Sequence, residues 1–229
     1  MSSGRTCAIV PVKALGRAKR RLSSVLPEAS RQQLVLAMLQ DVLTALAGVE
    51  SIDFVVVVTP DERVAALAQG FAAIVVPEPG AEELNAAIGS GIAYACSRGV
   101  GQALVLPADV PLTTSDELRG LIQSRGGQPG VTLAPSHDSN GTNGLLLGPP
   151  DAIAPCYGPG SYLQHLSQAM ARRVDVNVVH LEGLARDIDE PGDLARLLAH
   201  PQAGERYAFL APHAAASDTM QSNPQGNDP

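Results

Sequence analysis

Three aspartates in two short stretches could hold a divalent cation. Asp109 stands in LVLPADVPL (104–112), between Pro107 and Pro111, where the backbone is restricted and cannot continue a helix. Asp187 and Asp189 stand in ARDIDEPGDL (185–194) at i and i+2, which puts both carboxylates on one face of an extended segment. A hard cation such as Mg²⁺ takes oxygen ligands, usually one or two carboxylates together with substrate phosphates. Opposite in sign is PVKALGRAKRRLSSVL (11–26), with Lys13, Arg17, Lys19, Arg20 and Arg21. Lysine and arginine hold phosphate oxygens through charge-assisted hydrogen bonds, arginine bidentately. An Asp-x-Asp by itself is a weak signal, but with a strand-end aspartate and a cationic loop it forms a constellation for metal-assisted phosphoryl or nucleotidyl transfer. Plainer readings are a turn or capping aspartate at 109 and a solvated basic turn at 11–26. Glu190 and Asp193 suit the first turn of the following helix.

The totals narrow the choice of ligand. Five of the chain's 16 lysines and arginines fall between residues 13 and 21, although the net charge is -7. An acidic protein does not bind nucleic acid through general phosphate neutralisation. Aromatics are 3% with no Trp, so stacking platforms are also excluded. The expected anion is small and held locally. Three well-separated cysteines (Cys7, Cys96, Cys156) fit reduced thiols, and neither they nor the five histidines have ligand-pair spacing. No signal-peptide core precedes the first strand and no apolar run reaches the roughly 18–20 residues of a membrane span, so a cytoplasmic protein is expected.

The elements that must position these residues alternate. Strands are expected at 7–12, 54–58, 72–76, 103–107, 130–135, 144–148 and 174–181. Helices are expected at 29–48, 61–69, 81–97 (tolerating two glycines), 114–124, 161–171 and 191–200. Such alternation implies an α/β layered domain with a mainly parallel sheet, whose ligands bind beyond the carboxyl ends of the strands. Both the basic loop and Asp109 fall there. After residue 200 periodicity is lost; 201–229 reads as a tail, disordered from about 215, although YAFLAP could dock. Two loops resemble acceptor sites. SNGTNG (139–144) exposes N–H groups and the Thr142 hydroxyl, and CYGPGSY (156–162) leads into a helix at Ser161, with Gly158 and Gly160 letting an anion approach. Ser161 also reads as a simple N-cap. His165 and His180 are assigned to structure. Cys96, read as core, and Leu145 are candidates for lining the acceptor end of the pocket.

Taken together, AIVPVKALGRAKRRLSSVL, AMLQDVL, ELNAAI, LPADVPL, GTNGLLL, GPGS and DIDEPGDL resemble the CofC/FbiD family of coenzyme F420 biosynthesis, over about residues 5–200. The resemblance implies a three-layer, Rossmann-like nucleotidyltransferase fold of the glycosyltransferase-A type over residues 1–200. It implies a guanylyltransferase that joins GMP from GTP to a three-carbon phospho-acid and releases pyrophosphate. Phosphoenolpyruvate and 3-phospho-D-glycerate are the leading acceptors, and 2-phospho-L-lactate is a further one. It implies Mg²⁺ or Mn²⁺ on Asp109, Asp187 and Asp189, acceptor contacts at Thr142, Gly158 and Ser161, and Lys13 and Arg21 on the triphosphate. Lys13, Arg21 and Asp109 would act in catalysis, and Asn85 of ELNAAI would contact the nucleotide. The resemblance leaves room for a homodimer and gives no role to nucleic acid or membrane. Rival readings are a molybdenum-cofactor guanylyltransferase or other nucleotidyltransferase, a metal-dependent glycosyltransferase, and a nucleotide-binding protein without turnover.

Overall fold

Two-residue alternation along the strands divides the interior between two helix layers. In β1 (Thr6–Pro11), Ala8 and Val10 point to one face, and Cys7 and Ile9 to the other. The same parity sends Val57 of β2 (Phe54–Thr59) and Leu104 of β4 (Gln102–Val105) to the first face. Val56, Val58, Ala103 and Val105 go to the second. Strands covered on both faces must be apolar at every position, which is why VVVV and ALV read as continuous runs.

The computed structural model describes residues 4–77 and 83–212. Its sheet has seven strands in the order β3-β2-β1-β4-β6-β5-β7. The remaining strands are β3 (Ile74–Pro77), β5 (Gly130–Pro135), β6 (Thr142–Gly148) and β7 (Val176–Val178). All pairings are parallel except those of β6, which runs antiparallel to β4 and β5. Helices α1 (Glu28–Ala47), α2 (Glu62–Gly70), α4 (Ser115–Gln123) and α6 (Pro191–Ala199) pack their apolar sides on the first face. Helices α3 (Leu84–Ser97) and α5 (Ser161–Ala171) cover the second. The result is the expected three-layer α/β arrangement with a mostly parallel sheet. β1 and β4 are parallel neighbours, but the chain leaves β1 toward β2 and returns past it to β4. That reversal opens a crevice beyond their carboxyl ends, where open α/β sheets bind ligands.

Several expected boundaries shift. β7 keeps only three of the eight residues anticipated at 174–181, because only Val131–Leu133 of β5 offer it a ladder. β6 begins at Thr142, so the Thr142 hydroxyl lies inside the fold and not in an exposed loop. Packing continues past residue 200. A 3-10 turn at Glu205–Leu210 buries Tyr207 and Leu210, the Tyr207 hydroxyl donates to the Asp41 carboxylate, and Arg206 Nε pairs with Asp41 at 2.7 Å. The disorder anticipated from about 215 lies outside the described residues. Cys96 is exposed on α3 and not in the core, because Ala87, Ile88, Ile92 and Ala95 form the buried side of that helix. Leu145 is fully buried in β6 and lines no cavity described below. Among the described residues no helix is long and apolar enough to cross a membrane.

The two glycines of α3 have opposite surroundings. A Cβ at Gly91 would stand 2.5 Å from Ile9 Cγ2, whereas one at Gly89 meets nothing within 4 Å. Gly91→Ala should therefore destabilise by about 1–3 kcal/mol through overpacking. Gly89→Ala should stabilise by up to about 1 kcal/mol through helix propensity. Urea unfolding midpoints of the two variants check the opposite signs.

Candidate active site

The loop that follows β1 folds into two short 3-10 turns, Leu15–Arg17 and Arg20–Leu22, joined at Lys19. Leu15 and Leu22 are buried and pin the turns to the core. Lys19 adopts a left-handed backbone, φ 50 and ψ 45, which costs about 1–3 kcal/mol in a residue with a Cβ. Its side chain turns inward, only 8% exposed, and its ammonium lies 2.7 Å from Asp109 Oδ2 and 2.6 Å from Asp189 Oδ1. Burial alone would lower the Lys19 pKa, but the charges and hydrogen bonds of Asp109 and Asp189 outweigh it and hold the group above its ordinary value.

The two carboxylate segments are tied to each other through backbone. The Ile188 N–H donates to the Asp109 carbonyl at 3.0 Å. Beyond it, the Asp189 and Glu190 N–H groups donate to Asp193 Oδ2, which starts α6 in a reciprocal capping box. Burial would raise the Asp193 carboxyl; the Glu190 N–H, Arg196 and the Asp189 N–H together keep it below the usual range. Asp187 goes the other way. Burial raises its carboxyl, the Asn143 amide at 3.1 Å opposes that, and the charges of Asp109 and Asp189 push it up again. Asp109, Asp187 and Asp189 thus share one electrostatic neighbourhood.

Two cavities meet at this cluster. One, of about 320 Å³, is lined by Lys13, Lys19, Asp109, Tyr157 and Asp189, with apolar walls that include Val12 and Met38. The other, of about 670 Å³, is polar and lined by Lys13, Arg21, Asn140, Gly158, Asp187 and Asp189. Lys13 and Asp189 belong to both. Arg21 lies at the rim, paired with Glu190 at 3.7 Å in the open.

The expected acceptor residues form a buried knot instead of an open surface. Cys156 donates its N–H to His165 Nε2 at 3.1 Å, so the proton resides on Nδ1 and is directed to Thr142 Oγ1 at 3.0 Å. Ser161 Oγ donates to the same oxygen at 3.4 Å. Thr142, Ser161 and His165 are buried, and burial lowers His165 to about 4, so the ring is neutral near pH 7. Ser161 is not the N-cap of α5. Gly160 takes that position with φ 72, in the left-handed region open to glycine. Gly158, with φ 137, reaches the polar cavity, and Asn140 Oδ1 accepts the Gly160 N–H at 3.0 Å, joining the two loops.

Asn85, expected to contact the nucleotide, has both polar atoms of its side chain engaged within the fold. Its amide donates to the Tyr157 carbonyl at 3.0 Å and accepts the Tyr157 N–H at 2.7 Å, clamping the start of α3 to the 156–160 loop. The Tyr157 hydroxyl is buried with no partner among the described residues, although its side chain lines the first cavity. Burial keeps this phenol protonated, a ready donor. Lys19, Asn143 and Tyr157 were not singled out in the sequence. Lys19 is one cation among five, and nothing local distinguishes it. Asn143 and Tyr157 sit inside motifs whose local signal comes from their glycines and hydroxyls.

The donor set suits a hard dication. Among the described residues no group of three or more His, Cys, Asp or Glu forms a ready metal cage. Mg²⁺ does not need one, since it is usually bound by one or two carboxylates plus substrate phosphates. Hard oxygens, a carboxyl raised by burial and by its acidic neighbours, and a cation already bridging Asp109 and Asp189 match that requirement.

Comparison with known proteins identifies the family and the fold. A phosphoenolpyruvate guanylyltransferase of Sphaerobacter thermophilus is 40% identical over 199 residues, covering 87% of this chain and 95% of the relative. A 2-phospho-L-lactate guanylyltransferase of Methanothermobacter thermautotrophicus is 31% identical over 206 residues, covering 90% of each. Among solved structures, a nucleotidyl transferase from the same Methanothermobacter species superposes with a TM-score of 0.60 at 20% identity, covering 86% of this chain and 97% of that one. A cytidylyltransferase from Leptospira borgpetersenii gives 0.58 at 13%, covering 98% and 100%. These likenesses show a nucleotidyltransferase fold. The family model described as guanylyl transferase CofC like matches residues 6–221, from β1 to beyond the last helix, and the chain belongs to that family of guanylyltransferase enzymes.

Proposed function

We propose that this enzyme joins the GMP part of GTP to the phosphate of phosphoenolpyruvate and releases pyrophosphate, as a step of coenzyme F420 biosynthesis. The observation that carries the reading is the pair of cavities sharing Lys13 and Asp189, the arrangement a two-substrate transfer requires. Phosphoenolpyruvate is the first choice of acceptor because relatives bearing that name are 40% and 41% identical, against 31% for the phospho-lactate enzyme. The cavity with apolar walls suits the nucleotide, and the polar one suits a phosphorylated carboxylate. The reading places the enzyme in the cytoplasm, where GTP and reduced thiols coexist.

An oxygen of the acceptor phosphate attacks the α-phosphorus of GTP in line. The new O–P bond forms as the bond to the β-phosphate oxygen breaks, and pyrophosphate leaves with that electron pair. The acceptor phosphate is already anionic near neutral pH, so no general base is needed. Two like charges 4 Å apart repel by about 4 kcal/mol at an effective dielectric of 20, and the cations lower that cost. Lys13 faces both substrates, and Arg21 serves the acceptor side, where its cavity lies. Asp109, Asp187 and Asp189 would hold Mg²⁺ or Mn²⁺, which when bound supplies further neutralisation of phosphate charge. Asn143 orients Asp187 for that task. The Thr142–His165–Ser161 knot fixes the start of α5 against β6 and so holds Gly158 at the acceptor cavity. Asn85 does the same from α3 through Tyr157. Catalysis is positioning and charge neutralisation.

Pyrophosphate release is the direct test. With Mg²⁺, GTP should react with phosphoenolpyruvate faster than with 3-phospho-D-glycerate or 2-phospho-L-lactate, and ATP, CTP and UTP should not substitute. Silence with GTP and every three-carbon phospho-acid would refute the reading. Asp189→Asn should lower kcat at least about 100-fold, the scale of losing one electrostatic contact at the reacting centre, with unfolding little changed. Full activity in that variant would remove the carboxylate cluster from the mechanism.

The neutral His165 makes a separate prediction. Its folded pKa lies below the unfolded value near 6.5. The unfolded chain therefore takes up a proton first as pH falls, and stability is lost from about 6.5 downward toward the folded value. Between pH 6.5 and 5 the wild type should lose about 2 kcal/mol more than His165→Asn. Urea unfolding at both pH values measures the difference.

A further inference from the structure

Lys19 holds a position that the proposed chemistry assigns to something else. Its ammonium contacts one oxygen of Asp109 and one of Asp189 at hydrogen-bond length, and both carboxylates belong to the set that would ligate the dication. A cation shared by those two side chains must occupy the space between them, and that space is filled by Nζ. Two cations cannot share it, because each would be within a few ångströms of the other with the same carboxylate oxygens between them. The Lys19 side chain is only 8% exposed, while the Asp109 and Asp189 side chains are 30% and 43% exposed, so a dication can reach the carboxylates from the open side.

We infer that the Lys19 ammonium is an exchangeable counter-ion: it holds Asp109 and Asp189 together in the metal-free enzyme and is displaced when a divalent cation binds there. Three features make the exchange feasible. Lys19 is the joint between two three-residue 3-10 turns, so its side chain can turn without unwinding a helix. Its neighbours Arg20 and Arg21 are exposed, and the Arg21–Glu190 pair at 3.7 Å lies in the open, where it is weak. It also lines the first cavity beside Lys13, so the displaced ammonium remains next to the space proposed for the nucleotide phosphates.

The exchange accounts for how three nearby carboxylates stay together before substrate arrives. Without the ammonium, the Asp109, Asp187 and Asp189 charges would repel one another at the crevice. With it, a free metal ion must compete against an internal cation, so the metal is held weakly until phosphate oxygens arrive to retain both it and the displaced ammonium. The inference rests on the guanylyl-transfer reading only for naming these carboxylates as metal ligands.

The chain contains two lysines, Lys13 and Lys19, which makes the test direct. Lys13 is exposed and serves as an internal reference. The enzyme is treated briefly with an amine-acylating reagent, with and without millimolar Mn²⁺ and with no nucleotide, and the two sites are quantified by mass spectrometry. Lys19 should label at least tenfold more slowly than Lys13 without metal and, once Mn²⁺ is added, several-fold faster than it did before. In parallel, Mn²⁺ binding is read from the loss of the free-ion paramagnetic resonance signal. Lys19→Met should bind Mn²⁺ alone at least tenfold more tightly than the wild type, and Lys19→Arg should not. Equal or weaker binding by Lys19→Met overturns the exchange. Should that variant fail to fold, labelling decides: Lys19 as protected with Mn²⁺ as without it overturns the exchange. Neither readout involves guanylyl transfer, so pyrophosphate release with GTP and phosphoenolpyruvate judges the functional reading separately.

Discussion

The ammonium of Lys19 between Asp109 and Asp189 is the contact around which the rest of the site is arranged. It joins positions 90 and 170 residues apart in the chain. Burying charge is expensive, and a buried ion pair is weak evidence for stability, because well-packed apolar side chains often do as well. The fold nevertheless places these groups at the crevice beyond β1 and β4 and accepts a left-handed lysine backbone to reach it. The cluster sits where open α/β sheets bind ligands, which is the basis of the proposed reading.

Around that cluster the two sides of the crevice are built differently. On the side of the crevice formed by α5 and the 156–160 loop, polar groups are paired: His165 between the Cys156 N–H and Thr142, Asn85 on both polar atoms of the Tyr157 backbone, Asn140 on the Gly160 N–H. Because a buried imidazole pays a desolvation penalty when charged, His165 stays neutral and can accept from backbone while donating to a hydroxyl. Such saturated networks are rigid. The cationic side carries its charge on exposed Lys13 and Arg21, whose long side chains can follow a substrate. On the proposed reading, this hydrogen-bonded cradle facing exposed cations would hold the reacting oxygen in place while its charge is neutralised.

The segment after α6 belongs to the same structure. Tyr207 and Arg206 both engage Asp41 of α1, whose earlier turns place Val35 and Met38 in the wall of the first cavity. Burial raises the Asp41 carboxyl despite these two partners. Chain beyond the last helix thereby bears on the helix that shapes the proposed nucleotide cavity.

Much of this architecture is written in local pattern. Apolar runs such as FVVVV, the capping sequence before α4 and the helical spacing of α1 specify their elements through nearest-neighbour physics, since each backbone choice there depends on residues within one or two turns. The prolines around Asp109 likewise set that carboxylate just beyond β4, and the Asp-x-Asp spacing keeps two carboxylates close in one short segment, without reference to distant chain. Other features depend on contacts that no local window contains. Which of five clustered cations would face inward was decided by β1 and β4 becoming neighbours, which brings Asp109 over the loop carrying Lys19. Thr142 and Ser161 look like exposed hydroxyls beside glycines, yet the pairing of β6 with β5 and the packing of α5 bury them against His165. Asn85 reads as a free polar group at a helix start, and only the approach of residue 157 gives it a partner. Side-chain identity sets what a residue can do chemically; burial and partners, which arise from long-range pairing, determine which of those roles it performs.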